Sequence, residues 1–145
     1  MSTTKDLTLE APRGPRERIG PYAVLARAID KCRADLAGTI GGYHTNCPLD
    51  RYLFDWKGTD YDGFRALLAS GAADEAVAKF VDETGTPKTD DEAAAWSGQM
   101  EAARPYENPD ARDWFIGECE PLGLDPKTTT LFDYLEADDR KSFGK

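Results

Sequence analysis

Between Pro21 and Gly38 the residues Tyr22, Leu25, Ile29, Cys32 and Leu36 follow one another at intervals of three or four. Side chains so spaced line one face of an α-helix, whereas a strand would need alternation, so an amphipathic helix is required here. Pro21 suits its first position, because the ring fixes φ and the missing N–H would be unpaired there anyway. Gly38 supplies a natural stop. Arg27, Asp30, Lys31, Arg33 and Asp35 fall off the stripe.

The same punctuation continues down the chain. Pro48 opens a segment bearing Leu49, Tyr52, Leu53 and Trp56 that closes near Gly58. Asp60 caps the next, with Phe64, Leu67 and Leu68 inward and Gly71 at its end. A further helix from about Asp74 presents Val77, Phe80 and Val81 and ends near Gly85. Thr89-Asp-Asp-Glu92 has the form of a capping box and starts a helix carrying Trp96 and Met100. Asn108-Pro109 restarts helix with Trp114, Phe115 and Cys119, and Asp125-Pro126 leads to Leu131, Phe132, Tyr134 and Leu135. No stretch alternates convincingly, although 39–45 would hold a short extended piece. The expected fold is all-α: a single compact domain over residues 1–145, with about six or seven short helices. Residues 1–20, rich in Pro, Gly and Arg, form an irregular arm on a helical body at 21–145.

With 145 residues, 40% of them apolar, the chain can bury one core without metal or disulfide staples. Three cysteines, widely spaced, give no disulfide framework and are expected as reduced thiols. No apolar run is long enough to cross a bilayer. The N-terminus lacks the basic-then-apolar pattern of a secretion signal, so the expected address is cytoplasmic. A net charge of −9 argues against nucleic-acid and anionic-membrane partners. The charge is uneven: residues 1–37 hold seven bases against five acids, so +2, which leaves −11 on the rest. The basic segment is expected to dock on the acidic remainder; alternatively it would hold a small anion.

The strings PYAVLARAIDKCRADLAGTIGGYHTNCPLD (21–50), AWSGQMEA (95–102) and TTTLFDYLEADD (128–139) resemble a family of small bacterial proteins catalogued as a domain of unknown function, the 5069 family. The resemblance spans most of the chain. It implies one small helical domain and brings no activity, cofactor or catalytic residue with it.

Chemistry-bearing residue types concentrate in His44-Thr-Asn-Cys47-Pro48-Leu49-Asp50. If Pro48 is the first helical residue, Cys47 is the N-cap, where unpaired N–H groups and the helix dipole favour a thiolate. His44 is close enough to act as its base, while Asp50 in the first turn opposes the thiolate. Cys32, His44, Cys47 and Cys119 also make up a zinc-like ligand set, though with one close pair instead of two. Gly41, Gly42 and Tyr43 lie in a glycine-rich loop that would let a ligand approach the backbone, but the P-loop and dinucleotide signatures are absent. Helix-turn-helix spacing at 64–81 is countered by Asp74, Glu75, Asp82 and Glu83, which would face phosphates. The acidic stretch 136–139 lacks the glycine and spacing of a calcium loop. Trp56, Trp96 and Trp114 are expected in the core.

Three functions follow from different classes. The first is non-catalytic binding of a small molecule or protein partner, drawing on Arg13, Arg16, Arg18, Arg27, Gly41, Gly42 and Tyr43. The second is cysteine chemistry at Cys47 with His44. The third is a zinc domain on Cys32, His44, Cys47 and Cys119.

Overall fold

Helix boundaries fall where prolines, glycines and capping side chains put them. The computed structural model describes residues 4–144; the rest, which include part of the arm and of the stretch read for a secretion signal, lie outside the described residues. Seven α-helices follow in order: α1 (Leu25–Ala37), α2 (Pro48–Lys57), α3 (Tyr61–Ala69), α4 (Asp74–Glu83), α5 (Asp90–Ala102), α6 (Pro109–Cys119) and α7 (Leu131–Phe143). Short 3₁₀ turns at Pro105–Glu107 and Glu120–Leu122 flank α6. Asp60 accepts from Gly63 N at 3.1 Å, and the Thr89–Glu92 capping box is fully formed. A second box, Thr130 with Asp133, starts α7; its short aspartate hides it from a pattern that looks for Glu or Gln. Among the described residues no strand forms, residues 39–45 included, and the one β-bridge joins Ile19 to Tyr22.

That bridge corrects the start of the first helix, which begins at Leu25 and not at Pro21. Ser97 of α5 ties the lead-in down, donating to Pro21 O at 2.7 Å and accepting from Ala23 N at 2.8 Å. Val24, wholly buried, then takes φ 73, a conformation that costs a β-branched residue energy and interrupts the helical path.

α1 is the centre of the molecule. Leu25, Ile29 and Cys32 pack with Leu53 and Phe54 of α2, Phe64 and Leu68 of α3, Val77 and Val81 of α4, Trp96 of α5 and Phe132 of α7. A smaller cluster joins Phe115 and Cys119 of α6 to Tyr134 of α7. Leu36 is an exception to the predicted stripe, at 39% exposure.

Most of the charged residues that fall off the stripe are enclosed as well. Arg27, Asp30, Lys31 and Arg33 are all at least 93% buried, so α1 has almost no side open to water. Each charge is met from another segment. Arg27 binds Asp139 of α7 at 2.8 Å, Lys31 lies 2.9 Å from Asp50 of α2, and Arg33 binds Asp74 of α4 at 2.9 Å. Arg13 of the arm bridges Asp30 at 2.9 Å and Asp74 at 2.8 Å.

The arm is thus part of the body. Leu7 is buried and its N–H bonds Thr39 O at 2.8 Å; a side chain at Gly41, where φ is 62, would start 2.8 Å from Leu7 O. Arg16 reaches Asp133 and Glu136 of α7, and Arg18 reaches Glu101 of α5.

Removing one partner of a buried pair strands the other charge, a loss of about 3–5 kcal/mol, whereas replacing both is far milder. Arg27→Met should therefore lower stability to urea by about that much, and Arg27→Met with Asp139→Leu should recover most of it. Equal losses in the single and double variants would show that the pair is not buried as described.

Candidate functional site

Cys47 stands at the N-cap of α2 with Pro48 as the first helical residue, the arrangement its sequence implied. Asn46 before it adopts φ 50, a left-handed turn that asparagine tolerates better than most residues. The Cys47 carbonyl accepts from Arg51 N at 2.9 Å, while its side chain caps nothing. The sulfur instead receives the Lys31 ammonium, with Nζ 3.1 Å from Sγ.

Lys31 comes from α1 and is 3% exposed; Asp50, one turn into α2, is 1% exposed. The ammonium lies 2.9 Å from Asp50 Oδ1, yet approaches from a direction that makes a charge contact and leaves this oxygen without an aligned hydrogen bond. A buried ammonium, a buried carboxylate and a half-buried thiol therefore meet at one point, at the N-terminus of α2.

Cys47 is also part of the wall of a cleft of about 550 Å³ formed by α2, the end of α5, α6 and α7. Leu49, Tyr52, Met100, Trp114, Leu131 and Leu135 give it an apolar lining; Arg104 and Asn108 add polar groups. The bond from Leu131 N to Ala103 O, 2.9 Å, fixes the start of α7 against the end of α5. Tyr52 and Trp114 remain 55% and 52% exposed beside it, so Trp114 departs from the core position expected of it. Trp56 and Trp96 stack on each other, with ring centres 5.1 Å apart.

The other sequence candidates are placed as follows. His44 is exposed, and among the described residues no hydrogen bond joins it to Cys47; the cation on the sulfur is Lys31. The guanidinium groups of Arg13, Arg16, Arg18 and Arg27 are each held by carboxylates of the chain itself. Gly41 packs on Leu7 and Gly42 is exposed. Tyr43 donates to Asp139 at 2.7 Å and lies against the Arg27 guanidinium.

The zinc set is corrected outright. Among the described residues no three His, Cys, Asp or Glu side chains gather as a metal site requires. Cys32 belongs to the main core and Cys119 to the smaller cluster, both fully buried, while His44 faces solvent.

A family model described as Domain of unknown function (DUF5069) matches residues 9–141. The chain belongs to this family. A comparison with curated proteins returned no match. Membership covers the arm from residue 9, all seven helices up to Lys141 and every residue of the Cys47 site.

The three thiols should differ sharply in the folded protein. Burial pushes the Cys32 and Cys119 thiols upward, and both side chains are closed to solvent. Iodoacetamide should label Cys47 first, with Cys32 and Cys119 reacting only after unfolding, as read by peptide mass mapping. Labelling of Cys32 or Cys119 at the same rate would contradict this placement.

Proposed function

We propose that this domain binds a small, largely apolar molecule in the cleft between α2, α5, α6 and α7, with Cys47 in its wall. The observation that carries this reading is an apolar cleft of about 550 Å³ flanked by two large aromatic side chains, Tyr52 and Trp114, left half in water. Its size is that of an ordinary small-molecule site, and leaving two such rings exposed costs stability unless something covers them. Met100 can reshape to an occupant, and Arg104 and Asn108 offer one cation and one amide to orient a polar end. Arg104 already pairs with Glu107 at 3.0 Å on the surface, so it would select weakly and the apolar wall would dominate affinity.

This places the binding role on the cleft in preference to the arm, whose arginines are read as docking groups. A second reading, thiol chemistry at Cys47, is favoured by the Lys31 contact and would use the same cleft to admit its substrate. Lys31 then takes the place that sequence alone gave to His44.

A neutral naphthylamine dye, whose emission rises in apolar surroundings, tests the binding reading. Ala111→Trp, which fills the cleft from α6, should weaken dye binding about tenfold or more while leaving thermal stability near that of the parent. The Trp114 emission should shift when dye binds the parent protein. Unchanged dye affinity in Ala111→Trp would place the apolar site elsewhere and overturn the proposal.

A further inference from the structure

Lys31 and Cys47 are distant in sequence and belong to different structural segments, yet their amine and thiol touch at 3.1 Å. Neither group can easily leave. Lys31 is 3% exposed and held by Asp50, and Cys47 is fixed by the N-cap geometry of α2. Among the described residues no hydrogen bond joins a lysine amine to Cys32 or Cys119, whereas one joins Lys31 to Cys47. The sulfur forms part of the cleft wall, within reach of a small oxidant.

We propose that Cys47 and Lys31 form a reversible covalent link through one bridging oxygen, Sγ–O–Nζ, when the protein meets dioxygen. This goes beyond the cleft's binding role and does not depend on it. The step balances. The thiol S–H bond breaks, the ammonium passes one proton to Asp50, and the amine loses a second hydrogen. One oxygen atom of dioxygen joins sulfur to nitrogen and the other leaves as water. Sulfur and nitrogen each give up two electrons and dioxygen takes all four.

Two features of the site favour this product. A bridging oxygen occupies most of the existing gap between nitrogen and sulfur, whereas a direct S–N bond would have to close it by moving α1 against α2. Asp50 gains a proton as Lys31 loses its charge, so no unpaired charge is left in the interior. Asp50 Oδ1, with no aligned hydrogen bond, is free to take that proton. Once formed, the link ties α1 to the start of α2 and removes the thiol from the cleft wall. Reversal takes four electrons, which two equivalents of a dithiol supply, and returns the thiol and the amine with the bridging oxygen leaving as water.

The full chain, held in oxygenated or in anaerobic buffer, is compared by intact mass and by tryptic mapping after denaturation. The oxygenated sample should gain a species heavier by one oxygen and lighter by two hydrogens. In that species trypsin should fail to cut after Lys31, and the segments bearing Lys31 and Cys47 should travel as one peptide until dithiothreitol separates them. Cys47→Ser should give no such species and normal cleavage at Lys31. A linked peptide without the added oxygen would overturn the proposal. So would Cys47 converted to sulfinic acid or an intermolecular disulfide with Lys31 still cleaved, or both side chains left unmodified.

Discussion

The pairing of the charges on α1 is the interaction on which the other helices depend. A helix whose apolar stripe shares a core with five other helices ordinarily turns its charged side to water, but here Arg27, Asp30, Lys31 and Arg33 are enclosed as well. Desolvating such groups costs several kcal/mol each unless partners of opposite sign arrive with good geometry. The partners arrive from the arm (Arg13), α2 (Asp50), α4 (Asp74) and α7 (Asp139), segments far apart in sequence. Arg13 and Arg33 share Asp74, so arm, α1 and α4 close one network. The arm therefore covers the side of α1 that would otherwise be solvated. The basic excess of residues 1–37 is spent on the acidic remainder of the chain.

The candidate site is a by-product of the same arrangement. Lys31 is buried because α1 is buried, and Asp50 in the first turn of α2 supplies its countercharge. Bringing that turn onto Lys31 also sets the Cys47 N-cap against the ammonium. The cleft arises where α2, α5, α6 and α7 meet without filling the space between them, leaving Tyr52 and Trp114 half exposed. Charge pairing thus positions the thiol, and imperfect packing gives it an opening.

Much of the helical plan was legible because proline, glycine and capping residues act through local backbone physics. Pro48, Gly58, Asp60, Thr89 and Pro109 mark boundaries that the structure keeps. The start of α1 was not legible, because a bond from Ser97, far along the chain, holds Pro21–Ala23 off the helical path. The Cys47 N-cap followed from Pro48, but Lys31 did not announce itself. Periodicity separates an apolar face from a charged one and cannot say whether other segments will cover the charged one. The excess of base in the arm and first helix did point to acidic partners in the rest of the chain, without saying which carboxylate meets which base. The exposure of Trp114 and the shape of the cleft depend on how α6 meets α2, a tertiary fact with no local pattern behind it.

The account stands or falls on whether the arm is docked over α1, and amide hydrogen exchange of the arm tests this most directly. Leu7 N bonds Thr39 O and Arg13 N bonds Asp30 Oδ2, each at 2.8 Å. Both amides should exchange far more slowly at neutral pH than in an unstructured chain. Acid should release them. Burial alone would raise Asp74 and Asp133, but bonds to Arg13 and Arg33, and to Thr130 and Arg16, hold them below the usual carboxylate value of 3.8. Carboxyls so depressed stabilise the folded state above that value, and their contribution is lost as pH falls through their lower folded values. Protection should therefore persist at neutral pH and fade only below about 3.8. Exchange of Leu7 and Arg13 amides at open-chain rates at neutral pH would contradict a docked arm, and with it the enclosed, ion-paired α1 on which the site depends.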